Sequence, residues 1–426
     1  MIDVTRLLCG KVTQGDHLRY GSAPVGHGPR SSAAPTRPKS AAERRPVVVW
    51  NVTRRCNLKC LHCYAGSDAG AAPGELSTAE ARIMLEDLAR FGVPAVLFSG
   101  GEPLVREDLM DLVRYARDLG HRPTLSTNGT LITPRVASDI QAAGFTYVGI
   151  SLDGLGEVND HFRGRHGAFD QAVAAFRNLK DVGQRVGLRL TLTRHTAVDL
   201  EGIFDFLEAE GVDRACFYHL VYTGRGGALA GDDLTHRQTR QAMDAIFRRT
   251  EDFHRRGLDK DILTVDNHAD GVYLYQTLVR RGDPRADEVH RLLAWNGGAR
   301  YSTGVGIGCV DFLGDVHPDQ FWFRHTLGNV RQRPFSRVWS DAADPLLAGL
   351  RDRLPLLKGR CGLCRWKDLC GGSSRVRAEA VYGDLWAPEP ACYLSDDEIG
   401  LTADMRRSLA ASGQVFSMPP ALTGQA

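Results

Sequence analysis

The chain has 426 residues, 43% of them hydrophobic and 24% charged, the composition of a globular protein with a sizeable core. A net charge of +2 excludes a nucleic-acid binder that works through massed phosphate contacts, and no apolar run approaches the roughly 20 residues that span a bilayer. The segment Met1–Lys11 has neither an uninterrupted apolar stretch nor an export cleavage signature, so a cytoplasmic protein without membrane or nucleic-acid partners is the expectation.

Residues 1–45, rich in Gly, Pro, Ser, Ala and Arg from position 21, read as a flexible N-terminal segment. From Pro46 strands and helices alternate. Val47–Val52 is a β-branched strand, and Thr78–Phe91 a helix with Ser77 or Thr78 as N-cap and Glu80 close behind. Strand Ala95–Phe98, helix Asp108–Leu119, strand Pro123–Ser126, helix Pro134–Ala143 and strand Tyr147–Leu152 follow. Helix Phe169–Val182, strand Val186–Thr193, helix Leu200–Glu210 and strand Arg214–Val221 complete the series. Six such units over residues 46–234 predict an α/β fold, a partial (β/α)6 TIM-like barrel. An open doubly wound sheet has the same periodicity. Residues 235–300 read as a helical linker with helices Thr235–Arg256 and Ala286–Ala294. Residues 301–400 open on a hairpin, Gly306–Phe312 and Asp315–Phe321 about Gly314, and continue as a Cys-, Gly- and Pro-rich domain of the kind a metal site ties together. Residues 401–426 read as a tail.

Ten cysteines are present. Seven fall into two sequence-local groups, the pattern of metal or iron–sulfur ligands in a reducing compartment. Cys9, Cys216 and Cys309 stand alone and read as small buried hydrophobes. Cys56, Cys60 and Cys63 form CxxxCxxC directly after the first strand, at the barrel end where such folds keep their sites. Three thiolates can hold three irons of a four-iron cube and leave the fourth open to an outside ligand. A zinc loop completed by His62 is the alternative. Cys361, Cys364, Cys370 and Cys392 form the second group, for which zinc and iron–sulfur are both admissible.

The first motif, with an aromatic position before its third cysteine filled by His62, resembles the radical SAM (S-adenosylmethionine) superfamily. Ser99-Gly100-Gly101-Glu102-Pro103, Ser126-Thr127-Asn128-Gly129 and Ser151-Leu152-Asp153-Gly154 follow successive strands in the family's order. The resemblance implies a SAM-cleaving [4Fe–4S] cluster on Cys56, Cys60 and Cys63. Gly100, Gly101 and Glu102 would receive the methionine amino group, and Ser126, Asn128, Ser151 and Asp153 the ribose and carboxylate. Arg163 would lie near that carboxylate. The second group resembles the SPASM/twitch extensions of the superfamily and implies one auxiliary [4Fe–4S] cluster on Cys361, Cys364, Cys370 and Cys392. Ser374 and Asp319 stand where the full SPASM pattern has further cysteines, and Cys309 is a substitute ligand.

Tyr218–Gly226, Thr264–Gly271, Gly306–Cys309, Gly314–Trp322 and Leu357–Cys361 resemble the NirJ-type radical SAM proteins of heme d1 biosynthesis. That resemblance implies removal of propionates from an anionic tetrapyrrole, 12,18-didecarboxysiroheme, through a 5′-deoxyadenosyl radical, with an external donor such as flavodoxin or ferredoxin. Arg225, Arg300, His317 and Arg324 are candidates for its carboxylates, and His268 or His317 for its iron. The rival readings are a decarboxylase converting iron-coproporphyrin III to heme, a SPASM-type peptide maturase, and a non-enzymatic electron-transfer protein.

Overall fold

The structure, a computed structural model, describes residues 1–13, 19–20, 40, 43–70, 73–417 and 420–423. Among the described residues one sheet of eleven strands organises the chain. In chain order they are β1 (Ile2–Asp3), β2 (Val47–Asn51), β3 (Val96–Ser99), β4 (Pro123–Thr127), β5 (Tyr147–Ser151), β6 (Val186–Leu192), β7 (Arg214–His219), β8 (Asp261–Val265), β9 (Ile307–Val310), β10 (Asp315–His317) and β11 (Gly328–Asn329). Their spatial order is β1-β8-β7-β6-β5-β4-β3-β2-β9-β10-β11. Every pairing from β8 through β2 to β9 is parallel. The six expected strands sit side by side as the TIM-like partial barrel requires.

The connecting helices end where local chemistry ends them. Helix Thr78–Phe91 begins at a capping box between Ser77 and Glu80 and stops at Gly92, whose φ of 84° an L side chain rarely adopts. Helix His236–Arg255 starts from a second box, Thr235 with Gln238. Along each strand alternate residues face opposite ways. On β6, Leu188, Leu190 and Leu192 are buried in the core against the helices, and Arg189 and Thr191 turn into the cavity inside the barrel. Val148 and Ile150 on β5 and Val48 and Trp50 on β2 repeat the pattern.

Three segments differ from the sequence reading. Ile2–Asp3 pairs antiparallel with β8 (Ile2↔Thr264) and Val4–Cys9 is a helix with Val4, Thr5, Leu7 and Leu8 buried, so the chain's first residues are built into the barrel. A two-residue strand is too short to leave a period, which hid it. The rest of the expected lead-in lies largely outside the described residues. The expected linker contains β8 and the helix Ala269–Arg281, and β8 extends the parallel sheet by one strand beside β7. Beyond residue 401, Ala403–Ala411 is an exposed helix and Leu422 is buried. The hairpin forms as expected, with Val316 opposite Val310 and the turn closed by Gly314 donating to the Asp311 carbonyl at 3.0 Å. No helix among the described residues is long and apolar enough to cross a membrane.

Candidate active site

The loop carrying Cys56, Cys60 and Cys63 leaves the end of β2 and is fastened from three sides. Cys56 N–H donates to the Asp68 carbonyl at 2.7 Å, and Leu61 N–H to the Phe162 carbonyl at 2.9 Å. From beyond β7, Arg225 donates its Nε to the Cys60 carbonyl at 2.8 Å, its Nη1 to the Ser67 carbonyl at 2.8 Å and its backbone N–H to the Cys63 carbonyl at 3.0 Å. Arg225, expected to face substrate, is thus committed to the cysteine loop. The sequence shows the charge but not the carbonyls that claim it.

The glycine turn after β3 presses on the stem of the same loop. Gly101 N–H donates to the Thr53 carbonyl at 2.8 Å and Glu102 N–H to the Arg55 carbonyl at 2.9 Å. A Cβ on Gly101 would lie 2.1 Å from the Arg55 oxygen, and one on Gly100 2.5 Å from the Thr53 oxygen, so no side chain fits at either position. Glu102 is fully buried. Its carboxyl accepts from Thr127 Oγ1 at 2.8 Å, Asn128 N–H at 2.8 Å and Leu104 N–H at 3.2 Å. Burial outweighs these bonds and raises it to about 7.

Two residues just past strand ends, Asn128 and Asp153, gather around the thiols with Arg163 from the end of helix Gly156–Arg163 and His62 of the loop itself. Asp153 is buried and receives Thr191 N–H at 2.6 Å. It forms an ion pair with Arg163 and lies 3.3 Å from His62 Nε2. Arg163 Nη1 reaches Cys60 Sγ at 3.7 Å. Asn128 Nδ2 donates to Asn57 at 2.8 Å and approaches Cys56 Sγ at 3.9 Å. His62 stacks on Phe162 with centroids 4.6 Å apart, and burial holds it neutral, down to about 4. Burial pushes Cys56 up to about 12 and Cys60 upward, Arg163 opposing the latter. Cationic iron would reverse that cost by holding the sulfurs as thiolates. Among the described residues no three His, Cys, Asp or Glu side chains converge closely enough for a single metal ion. Three thiols carried on one loop suit three irons of a four-iron cube with the fourth left open.

The loop, through His62 and Tyr64, and the strand ends border one cavity, lined by His62, Ser99, Ser126, Ser151, Arg163 and, unforeseen in the sequence, Arg189, Tyr218 and Asp266, whereas Gly100, Gly101, Glu102, Asn128, Asp153 and the three cysteines are not in its lining. Asp266 is one of two described non-glycine residues with positive φ, at 68°. Arg189 had a signal: an ionisable residue on the opposite parity to three leucines in one strand.

Cys361, Cys364, Cys370 and Cys392 line a second, small cavity together with Ala269, Val272 and Leu394. Glu389 N–H donates to Cys361 Sγ at 3.4 Å and Trp366 N–H to Cys364 Sγ at 3.3 Å. Four thiols, two of them receiving backbone N–H groups, around one small space that Lys367, Ser373 and Glu389 also border suit an iron–sulfur cube. Ser374 is the N-cap of helix Arg375–Tyr382, its hydroxyl accepting from Arg377 N–H at 3.3 Å. Cys309 lies on β9 against Asn51 Nδ2 at 3.5 Å, away from the four. Asp319 accepts from Thr303 Oγ1 at 2.6 Å.

The expected substrate contacts are dispersed. His317 is buried, with Nδ1 2.9 Å from the His325 carbonyl. His268 is buried beside Ser373, whose hydroxyl accepts its backbone N–H at 3.0 Å. Arg300 packs by Gly371, and Arg324 lies 3.9 Å from Glu379 at the surface. None of the four lines the cavity around the cysteine loop.

Residues 50–207 match the family model of the radical SAM superfamily. The chain is 50% identical over 404 residues to the Fe-coproporphyrin III synthase of Methanosarcina barkeri, covering 94% of this chain and 99% of that one. It is 47% identical over 378 residues to the pre-heme d1 synthase of Dinoroseobacter shibae, covering 88% and 92%. In fold it is similar to the crystal structure of Streptococcus suis SuiB bound to S-adenosylmethionine, with a TM-score of 0.65, 18% identity and coverage of 82% and 78%. The chain belongs to the radical SAM superfamily and is a radical SAM enzyme, and membership of that family implies SAM and a [4Fe–4S] cluster.

Proposed function

We propose that this enzyme removes carboxylate-bearing side chains from an anionic iron tetrapyrrole, and that it takes two propionates from 12,18-didecarboxysiroheme on the way to heme d1. The observation that carries the reading is identity of 47% and 50% over most of the chain to two relatives whose names both specify tetrapyrrole products. When bound, a [4Fe–4S] cluster on Cys56, Cys60 and Cys63 with SAM supplies a 5′-deoxyadenosyl radical able to take hydrogen from a propionate carbon. The chain's own residues orient that chemistry. Glu102, pinned by Gly100 and Gly101 against the loop stem, offers its carboxylate to an ammonium. Ser126, Asn128 and Ser151 present hydroxyl and amide groups at adjacent strand ends, and Arg163, aimed by Asp153, offers its guanidinium to a carboxylate. We assign the second cluster to Cys361, Cys364, Cys370 and Cys392, and the external electrons to a flavodoxin- or ferredoxin-type donor.

A second reading, formation of Fe-coproporphyrin III, is favoured by the 50% relative. Incubating the anaerobically reconstituted, reduced protein with SAM and didecarboxysiroheme, and weighing the product, separates the two. Loss of two propionate groups supports the heme d1 reading, and a product with the mass of Fe-coproporphyrin III supports the second. Absence of 5′-deoxyadenosine with any tetrapyrrole refutes both.

A further inference from the structure

The inner face of the barrel carries a guanidinium that no acid answers. On β6 the residues of one parity pack against helices, and Arg189 on the other parity points into the cavity it shares with Ser126, Ser151, His62 and Arg163. Its stem fits because β5 has Gly149 beside it: a Cβ there would lie 2.6 Å from Arg189 Cδ. Its head lies over the Tyr218 ring, 4.9 Å from the centroid. Arg163 and Arg377, both buried, are matched by Asp153 and by Glu389 at 2.8 Å, and the half-buried Arg214 on the next strand is matched by Asp261 at 3.1 Å. Among the described residues Arg189 forms no ion pair, although Asp266 faces the same cavity from the end of β8.

A cation enclosed without a counter-charge is costly, and the cost is recovered only when an anion arrives. A guanidinium is also the side chain whose fork matches a carboxylate in two parallel hydrogen bonds. We infer that Arg189 receives a side-chain carboxylate of the substrate, and so sets which side chain lies in the chamber bordered by the cysteine loop. The inference rests on the tetrapyrrole reading above and adds to it the residue that anchors the macrocycle. Thr191 and Ser151 supply neutral hydroxyls along the same wall. The Tyr218 face limits the guanidinium's freedom, which lowers the ordering needed on binding.

The test titrates didecarboxysiroheme, and the same compound with its carboxyls methylated, into the reconstituted holoenzyme by absorbance. Arg189→Gln should weaken binding of the free acid on the order of tenfold to hundredfold, with Arg189→Lys recovering part of the loss. The ester should bind weakly to wild type and to both variants alike. Iron content and Tm report folding of each variant. If Arg189→Gln does not retain iron, Arg189→Lys decides: a severalfold loss confined to the acid supports the assignment, and equal losses for acid and ester overturn it. Wild-type affinity of Arg189→Gln for the acid also overturns it. Failure of the wild-type chain to bind either tetrapyrrole overturns the functional reading and this inference together.

Discussion

Replacing Arg377 by methionine removes the cation of a fully buried pair that joins the barrel to the C-terminal cysteine domain. Arg377 Nε lies 2.8 Å from Glu389 Oε1 and Nη2 3.2 Å from Oε2. Its Nη1 donates to the Leu220 carbonyl at 3.0 Å, just past β7, and Nη2 also reaches the Asp266 carbonyl past β8. Glu389 in turn accepts Ser374 N–H at 2.6 Å and Ala391 N–H at 3.1 Å. With both side chains at 1% exposure or less, water cannot replace the lost partner, and stranding one buried charge costs about 3–5 kcal/mol. Unfolding entropy near 2.1 cal/mol/K per residue amounts to roughly 0.9 kcal/mol/K for a chain of 426 residues. The variant should therefore melt about 3–6 °C lower by calorimetry. Adding Glu389→Gln, which neutralises the stranded charge and keeps an acceptor for Ser374, should recover more than half of that loss. A single variant that melts within about 1 °C of wild type, or a double variant no better than the single, refutes the reasoning.

Gly101→Ala should loosen the cysteine loop, because its Cβ would fall 2.1 Å from the Arg55 oxygen; the expected protein keeps its C-terminal cluster and about half its iron, and full iron content would contradict the packing argument. Combined Cys56→Ala, Cys60→Ala and Cys63→Ala should leave about half the iron and no 5′-deoxyadenosine, whereas loss of all iron or no change in iron would remove the two-site assignment. Glu102 has its folded pKa raised by burial from 4.5 to about 7. The stability it contributes is thus fully present below about pH 4.5 and is lost as pH rises through about 7. Glu102→Gln should flatten that decline in denaturant midpoints measured from pH 4.5 to 8. SAM affinity of the wild type should rise over the upper part of the same range as the carboxylate forms, and a flat binding profile would count against Glu102 as the ammonium partner.

Much of this site was legible because its parts are local. CxxxCxxC, the glycine turn and the two strand-end loops each occupy a few consecutive residues, and parallel β/α order places them on one rim before any tertiary contact is known. What stayed hidden depends on partners far apart in sequence. Gly100 and Gly101 look like room for a ligand, but their immediate neighbour is the backbone at Thr53–Arg55. Arg225 reads as a spare charge until Cys60 and Ser67 turn their carbonyls toward it. β8, five residues that open on Asp261 and include Thr264, is too short and too polar to stand out as a strand after the long helix His236–Arg255 that crosses over to it. The dispersal of Arg300, Arg324, His268 and His317 shows the limit of grouping residues by loop alone.

The parallel pairing of β9 with β2, from Val47↔Ile307 to Trp50↔Val310, means that the strand leading to the first cysteine group is hydrogen-bonded to the C-terminal third of the chain. A fragment ending near residue 234 would lose β8 and β9 together, baring the ladders of both β7 and β2. Two naked edges on a parallel sheet invite association with other chains. The barrel is thus not a detachable module: shortened versions should come out of expression as aggregates, and the two cysteine groups share one cooperative unit despite lying some 300 residues apart in sequence.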